Sequence, residues 1–100
     1  MPNITVKVAH NLGQDEALKR VKAFVTQMKT QYGNMASSFQ ESWDGYVGTF
    51  TGSGSGMSAS GTVTVNPADL TMELTVPAIA MFMKGTIESG AREQLTRALA

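Results

Sequence analysis

The only histidine of the 100-residue chain, His10, is the first candidate for catalysis because imidazole can exchange a proton near neutral pH. His10 directly follows the alternating stretch from Ile4 to Val8, and no serine or carboxylate beside it in the sequence completes a catalytic triad. We interpret His10 as a loop or capping residue, with a catalytic base as the alternative.

Glu41 is the second candidate because it shares the parity of Phe39 and Trp43 in a predicted strand, which turns its carboxylate toward the apolar side. If that strand lies at the edge of a sheet, an inward-leaning charge discourages pairing with another sheet. We favour this protective role. The alternative is a general acid or a carboxylate that orients a ligand.

Metal and cofactor sites have little support in the residue types. One histidine and no cysteine leave only carboxylates, and their spacing matches no calcium loop. The glycines from Gly52 to Gly56 lead into an alternating stretch, whereas the glycines of a phosphate loop lead into a helix. We therefore expect no metal site, no cofactor and no enzymatic activity.

The overall composition is that of a globular protein, with 42% hydrophobic and 16% charged residues. Basic and acidic residues are balanced at eight each, so no net charge attracts the chain to nucleic acid. The sequence lacks cysteine, an N-terminal signal pattern and an apolar run of roughly 20 residues that would span a membrane. We expect one domain over residues 1–100, in the cytoplasm, with no nucleic acid partner and no transmembrane segment.

Apolar periodicity predicts five strands and two helices. Asp44-Gly45 is typical of a hairpin turn and would place Trp43 opposite Tyr46, and Gly52 to Gly56 reads as a flexible loop between the next two strands. Pro77 suits the first turn of the last helix. The predicted order is strand 4–8, helix 11–33, a strand from 37 to the Asp44-Gly45 turn, a strand carrying Tyr46 and Phe50, strands 57–65 and 70–76, and helix 77–100.

This order, β-α-β-β-β-β-α, predicts an α+β fold with a single antiparallel five-stranded sheet and two helices on one face, in a helix-grip-like arrangement. Each strand alternates apolar with polar residues, so one sheet face needs a cover and the other can face water. We predict the strand order 1-5-4-3-2, with the C-terminal helix in the concave face of the sheet.

An aromatic cluster follows from the same prediction, since Trp43, Tyr46 and Phe50 lie around the hairpin turn. Core packing is its expected role, and the alternative is an aromatic wall for an apolar ligand or partner. Helix 11–33 also carries Lys19, Lys22 and Lys29 along one border. We expect a solvated helix flank there, with weak attraction to an anionic surface as the alternative.

The segment 78–83 is apolar all round, because several of its side chains point away from the stripe that the last helix needs for packing. Either the rest of the fold covers this second side, or it forms an exposed patch that contacts a partner, a hydrophobic surface or a second copy of the chain. The candidate contact residues are Ile79, Met81, Phe82 and Met83.

Several stretches resemble one family, the polyhydroxyalkanoic acid system proteins, small bacterial proteins usually encoded beside genes for polyester synthesis or granule proteins. The resemblance runs over nearly the whole chain and is carried by ITVKVAHNLGQDEA, ESWDGYVGTF, SGTVTV and LTVPAIAMFMKGTIE. Its most telling positions are His10, Leu12, Trp43, Gly45, Gly61, Pro77, Lys84, Gly85 and Ile87.

The resemblance implies a cytoplasmic role in polyhydroxyalkanoate storage, at the granule surface or with granule-associated proteins, and no reaction. We expect a non-enzymatic accessory protein that uses the apolar segment, with a homodimer as another use of the same residues. The alternative is a small-molecule domain that binds an acyl or hydroxyacyl ligand between the curved sheet and the C-terminal helix.

Overall fold

The computed structural model describes residues 3–32, 38–54, 57–77 and 82–100. It confirms the predicted α+β class and the order of five antiparallel strands and two helices. The elements are β1 (Asn3–Ala9), α1 (Gln14–Tyr32), β2 (Ser38–Asp44), β3 (Val47–Gly54), β4 (Met57–Val65), β5 (Asp69–Thr75) and α2 (Lys84–Ala98).

The strands form one sheet in the order β1-β5-β4-β3-β2, as predicted, so β1 and β2 are the edge strands. Antiparallel pairing aligns the partner residues of neighbouring strands into rows that cross the sheet, and alternate rows face opposite sides. The row through Val6, Met72, Val63, Gly48 and Trp43 lies on the inner face. The neighbouring row, through Thr5, Glu73, Thr62, Thr49 and Ser42, lies on the outer face.

The core lies between the inner sheet face and the two helices. From α1 it takes one stripe at helical spacing, Ala17, Val21 and Val25, and from the C-terminal end of the chain it takes Leu95 and Leu99. The remaining buried hydrophobic residues come from the sheet and its ends: Ile4, Val6, Val8, Val63, Val65, Leu70 and Val76.

Hydrogen bonds show how the helices lie on the sheet. At the start of α1 the side-chain amide of Gln14 donates from Nε2 to the Val65 carbonyl at 2.8 Å. In the last turn of α1, the ammonium of Lys29 reaches Glu41 on β2 at 3.0 Å. Helix α1 therefore runs along the β2 side of the inner face.

Helix α2 lies along the opposite edge of the sheet. Arg92 donates from Nη1 to the Lys7 carbonyl of β1 at 2.8 Å. The chain end meets α1, where Arg20 donates to the Ala100 carbonyl. Helix α2 therefore packs against β1 and, at its C-terminal end, against α1.

The hairpin turn between β2 and β3 lies one residue later than predicted. Asp44 pairs with Val47, so the turn residues are Gly45 and Tyr46, and Trp43 lies opposite Gly48 instead of Tyr46. Gly45 has φ +60°, a left-handed conformation that glycine adopts without a Cβ clash. The turn uses the glycine as its first central residue, which shifts the register.

The glycine run is mostly strand, so its prediction as a loop from Gly52 to Gly56 is wrong in extent. Gly52 pairs with Ala59, and Gly54 pairs with Met57. Residues 55–56, which connect β3 to β4, lie outside the described residues. Backbone ladder bonds need no side chain, so glycine and serine continue the pairing to the end of the hairpin.

The last helix begins later than predicted. Pro77 is not helical, and Val76 before it is buried in the core, so the chain continues past β5 to bury that side chain. Phe82 and Met83 are in 3₁₀ conformation, and α2 begins at Lys84. Residues 78–81, with the candidates Ile79 and Met81, lie outside the described residues.

Candidate functional site

His10 is buried between two loops, and both of its ring nitrogens are in contact with the backbone. Nε2 donates to the Asn66 carbonyl at 2.9 Å, and Nδ1 accepts from the amide of Leu12 at 3.3 Å. This pattern assigns the neutral imidazole with its proton on Nε2. The imidazole joins the loop after β1 to the turn before β5, which is a structural role and leaves neither nitrogen for a substrate.

Glu41 lies on the inner face of edge strand β2, and both carboxylate oxygens have partners. Lys29 binds Oε1 at 3.0 Å, and the indole of Trp43 donates to Oε2 at 2.6 Å. Burial by itself raises the pKa of Glu41, but the two hydrogen bonds and the charges of Lys29 and Lys22 outweigh it, and the pKa is lowered. The carboxylate is ionised at neutral pH, so it has no proton to donate as a general acid.

The ring of Trp43 occupies the space beside Gly48, where the glycine has no side chain. A Cβ on Gly48 would lie 2.7 Å from the ring, far inside contact distance. Phe50 meets the indole edge-on at a centroid distance of 5.6 Å, and Lys22 places its ammonium 5.2 Å from the ring centroid. Trp43 is thus held on several sides by side chains of its own chain.

The three residues of the predicted aromatic wall do not form one wall. Trp43 and Phe50 are in contact, and Phe39 joins them at 6.3 Å from Phe50. Tyr46 lies in the hairpin turn, where its hydroxyl donates to Asp15 at 2.5 Å and the acceptor carboxylate raises its pKa. Tyr46 therefore joins the turn to the start of α1.

The border lysines of α1 contact the sheet. Lys22 lies over Trp43, and Lys29 lies over Phe39 at 5.5 Å while it binds Glu41. Their stems cover part of the aromatic cluster, in the usual manner of amphipathic side chains. Lys22 makes no direct ion pair in the described part of the chain, but its positive charge acts on the Glu41 carboxylate and contributes to lowering the pKa of Glu41.

The start of α2 exposes large apolar side chains. Phe82 is 83% exposed and Met83 is 44% exposed. The following residues 84–86 are exposed as well, and Met83 provides no side-chain cap to the helix N-terminus. Within the described part of the predicted contact segment, the side chains face water.

On the β2 side, one end of the inner sheet face is incompletely covered, whereas Ile4 and Val76 at the same end are buried. Ala59 is exposed, Phe39 is 43% exposed, and Phe50 and Leu74 are half-buried. All four lie on the inner face. Phe50 and Leu74 belong to one row, because both pair with Gly61. Phe39 and Ala59 belong to the next inner row, because both pair with Gly52. We call Phe39, Phe50, Ala59 and Leu74 the open strip.

The outer sheet face carries a different surface. A shallow cleft of about 310 Å³ is lined by Gln40, Thr51, Gly52, Ser53, Ser58, Ala59 and Ser60. The lining is small and mostly polar, and it contains no charged residue. This cleft offers hydroxyl and amide groups to a ligand but little apolar wall.

Residues 3–32, 38–54, 57–77 and 82–100 contain no group of three or more His, Asp or Glu side chains placed to hold a metal ion. Neither α1 nor α2 combines the length and apolar character needed to cross a membrane.

A family model described as "Putative polyhydroxyalkanoic acid system protein" matches residues 4–99 of the chain. The chain belongs to this family. The family name links the protein to the polyhydroxyalkanoate system, and the match includes both helices and all but the first residue of the sheet. No curated protein and no solved structure matches the chain significantly.

In this member of the polyhydroxyalkanoic acid system family, sequence reasoning found the exposed Phe82 and Met83 but missed the open strip. The parity of Ala59 with Val63 was visible in the sequence, and it placed Ala59 on the apolar face. What the pattern could not show is that Ala59 and Phe39 remain exposed on this face.

Proposed function

We propose that the protein is a non-enzymatic accessory protein of cytoplasmic polyhydroxyalkanoate storage, which contacts granules or granule-associated proteins through the start of α2. The observation that carries the proposal is the 83% exposure of Phe82 beside the 44% exposure of Met83. Family membership supplies the hydrophobic partner, since a polyester granule presents an apolar surface inside the cell.

The energetic argument rests on these two side chains. Burial of a Phe or Met side chain contributes about 1.5 to 3 kcal/mol relative to exposure to water. Each 1.4 kcal/mol corresponds to about a tenfold change in an equilibrium constant, so loss of both side chains should weaken the contact at least tenfold. Methionine also adapts to irregular apolar surfaces.

The non-enzymatic part of the proposal is supported by the two candidate catalytic groups. His10 uses both ring nitrogens for backbone contacts, and Glu41 is an ionised partner of Lys29 and Trp43. Neither group has the free, poised proton site that general acid–base catalysis requires.

Co-sedimentation with isolated polyester granules tests the contact. The double variant Phe82→Ser, Met83→Ser should no longer sediment with the granules and should remain in the supernatant. Its urea unfolding midpoint should be unchanged, because both side chains face water in the wild type. Val47→Ser is the matched control, since Val47 is a 38% exposed apolar residue on β3, away from α2. The control should sediment like the wild type.

Two outcomes would contradict the proposal. Unchanged sedimentation of the double variant would refute the site, and failure of the wild type to sediment would refute granule contact.

A second copy of the chain is the competing partner for the same two residues, Phe82 and Met83. Analytical ultracentrifugation of the wild type and the double variant identifies it by a dimer that only the wild type forms.

A further inference from the structure

We propose that edge strand β2 pairs antiparallel with β2 of a second copy of this chain, so that two five-stranded sheets join about a twofold axis. The surface that carries the proposal is the backbone edge of β2. It is separate from the exposed side chains of Phe82 and Met83 at the start of α2. The inference goes beyond the granule contact and does not require it.

The hydrogen bonds of the sheet identify which backbone groups of β2 face its free edge. In an antiparallel sheet, successive residues of a strand direct their N–H and C=O groups to opposite sides. The amide of Val65 donates to the Tyr46 carbonyl at 2.8 Å, so residues of β3 with even numbers bond to β4 and those with odd numbers bond to β2. Strands β2 and β3 pair even with odd residues. The backbone groups that point away from β3 are therefore those of Phe39, Glu41 and Trp43.

The two edges of the sheet differ in what satisfies these outward groups. At β1 the amide of His10 donates to the Ala68 carbonyl at 2.9 Å, which turns even-numbered residues toward β5 and the Lys7 carbonyl toward the edge. Arg92 of α2 donates to that carbonyl at 2.8 Å, and α2 packs against β1. Within residues 3–32, 38–54, 57–77 and 82–100, no group bonds to the outward backbone groups of β2. An unpaired strand edge of this kind is a template for another strand.

Strand β2 also lacks the features that keep many natural sheet edges from pairing. Such features are proline, lysine, a β-bulge or an inward charge. β2 contains neither proline nor lysine, and its register with β3 is unbroken from Ser38 to Asp44. Its inward charge, Glu41, is neutralised by Lys29 at 3.0 Å and accepts a hydrogen bond from the indole of Trp43. The edge is therefore chemically suited to a partner strand.

A second copy fits this edge because β2 is complementary to itself in one antiparallel register. In that register Ser42 lies opposite Ser42 of the second copy, and Gln40 lies opposite Asp44 on both sides of the axis. Asp44 is exposed and makes no ion pair with the described residues, so the exposed Gln40 amide offers it a donor. The outward backbone groups of Glu41 then exchange hydrogen bonds with those of Trp43 of the second copy.

The charges on the inner face favour the same register. If Glu41 lay opposite Glu41 of the second copy, two carboxylates would face each other directly, which destabilises a strand pair. With Ser42 opposite Ser42, Glu41 of the second copy comes opposite Trp43 instead. The Lys22 ammonium lies 5.2 Å from the Trp43 ring centroid, and its charge already acts on Glu41 of its own chain. A second carboxylate beside this ring therefore approaches positive charge, which favours the pairing.

Disulfide cross-linking tests the pairing directly, because the chain has no cysteine of its own. Opposite residues that do not exchange backbone hydrogen bonds have Cα atoms about 4.5 Å apart, within the range that a disulfide spans. Ser42→Cys should form a covalent dimer under mild oxidation at least tenfold faster than Thr49→Cys. Thr49 is the matched control, because it is the exposed partner of Ser42 on β3. Three strand spacings of about 4.8 Å would separate it from Thr49 of the second copy.

Sedimentation equilibrium measures the dimer without a covalent bond and reads its register. Gln40→Lys should tighten the dimer severalfold, because it places a positive charge opposite Asp44 of the second copy, whereas Gln40→Glu should weaken it severalfold. Within one chain these two positions lie about 13 Å apart along β2, so the pair has little effect on the monomer. Ser42→Lys places like charges opposite each other and should weaken the dimer at least tenfold, while Thr49→Lys should change it less than twofold.

Several results would overturn the inference. These are a wild type that stays monomeric at every concentration, equal rates of cross-linking for Ser42→Cys and Thr49→Cys, or the same response of the dimer to Gln40→Lys and Gln40→Glu.

The variant Phe82→Ser, Met83→Ser separates this interface from the granule contact. It should keep the dimer and, combined with Ser42→Cys, the cross-link, because α2 packs against β1 at the opposite edge of the sheet. A dimer that this variant loses and Ser42→Lys keeps would be the contact through Phe82 and Met83, and it would overturn the pairing of β2. Failure of granule contact and failure of strand pairing therefore remain distinguishable.

Discussion

The two ends of the inner sheet face contain similar residues but differ in how far water reaches them. At one end Leu70 is fully buried, and at the other end Leu74, four residues later on the same strand, is half-buried. Both leucines share one strand, one face and one side-chain type. The difference teaches that residue type and face do not by themselves decide how deeply an apolar side chain is buried.

A comparison of these two leucines should give the largest effect. Leu70→Ala removes a side chain with no exposed surface and should lower the free energy of unfolding by about 3 to 5 kcal/mol. Leu74→Ala should cost roughly half as much, because part of its side chain already contacts water. Urea unfolding of both variants measures the difference, and equal losses would show that the two ends are equally closed in solution.

An intermediate effect is expected at Gly48, on the border between the two ends. Gly48→Ala places a methyl group where the ring of Trp43 lies, so the ring must move, at a cost of about 1 to 3 kcal/mol. The emission maximum of Trp43 should shift in the folded variant. Gly85→Ala is the control, because nothing lies within 4 Å of its Cβ and alanine is the better helix former.

That control separates packing against Trp43 from a general loss of glycine flexibility. Gly85→Ala should be neutral or stabilising by up to about 1 kcal/mol. If Gly48→Ala were equally harmless and left the emission unchanged, Trp43 would not be packed on β3, and its assignment to the border of the core would be wrong.

The smallest effect is expected at Glu41, whose ion pair with Lys29 connects α1 to β2. The pKa of Glu41 is lowered in the folded protein, so its ionised form stabilises the fold at pH values above the ordinary pKa of about 4.5. Since the ion pair is near the surface, Glu41→Gln should cost at most about 1 kcal/mol at pH 7. This cost should decrease as the pH falls through the lowered pKa and the carboxylate takes up a proton.

Chemical denaturation of the wild type and Glu41→Gln at several pH values tests this sign. A difference that grows as the pH falls would mean that burial dominates and the pKa is raised instead. Lys29→Met provides a second measure, because it removes the ammonium but keeps the long stem that lies over Phe39.

Much of the fold could be predicted because the local patterns were unambiguous. Alternation identified the inner-facing residues of β4 and β5, and the periodicity of α1 identified Ala17, Val21 and Val25 as its buried stripe. The predicted strand order combined a meander of four consecutive strands with the expectation that β1 lies beside β5, and the structure confirms it. These inferences depend only on residue spacing, which the sequence contains in full.

The errors lie where backbone hydrogen bonds, rather than side chains, decide the structure. The residue type of Tyr46 predicts a strand position, but the left-handed conformation of Gly45 makes Tyr46 part of the turn. Gly52 and Gly54 read as a loop, yet the ladder between β3 and β4 continues through them. Pro77 reads as a helix start, yet burial of Val76 keeps the chain extended until later.

The sequence by itself determined the class of the fold, the face on which each strand residue lies, and the surplus of apolar residues before α2. Only the tertiary structure decided that Lys22 and Lys29 reach across to β2, that both nitrogens of His10 bind the backbone, and that Phe39 and Ala59 remain exposed on the inner face. The physical reason is that side-chain periodicity is a local property of the chain. The area that two helices leave uncovered depends on where they lie over a sheet whose strands come from distant parts of the sequence.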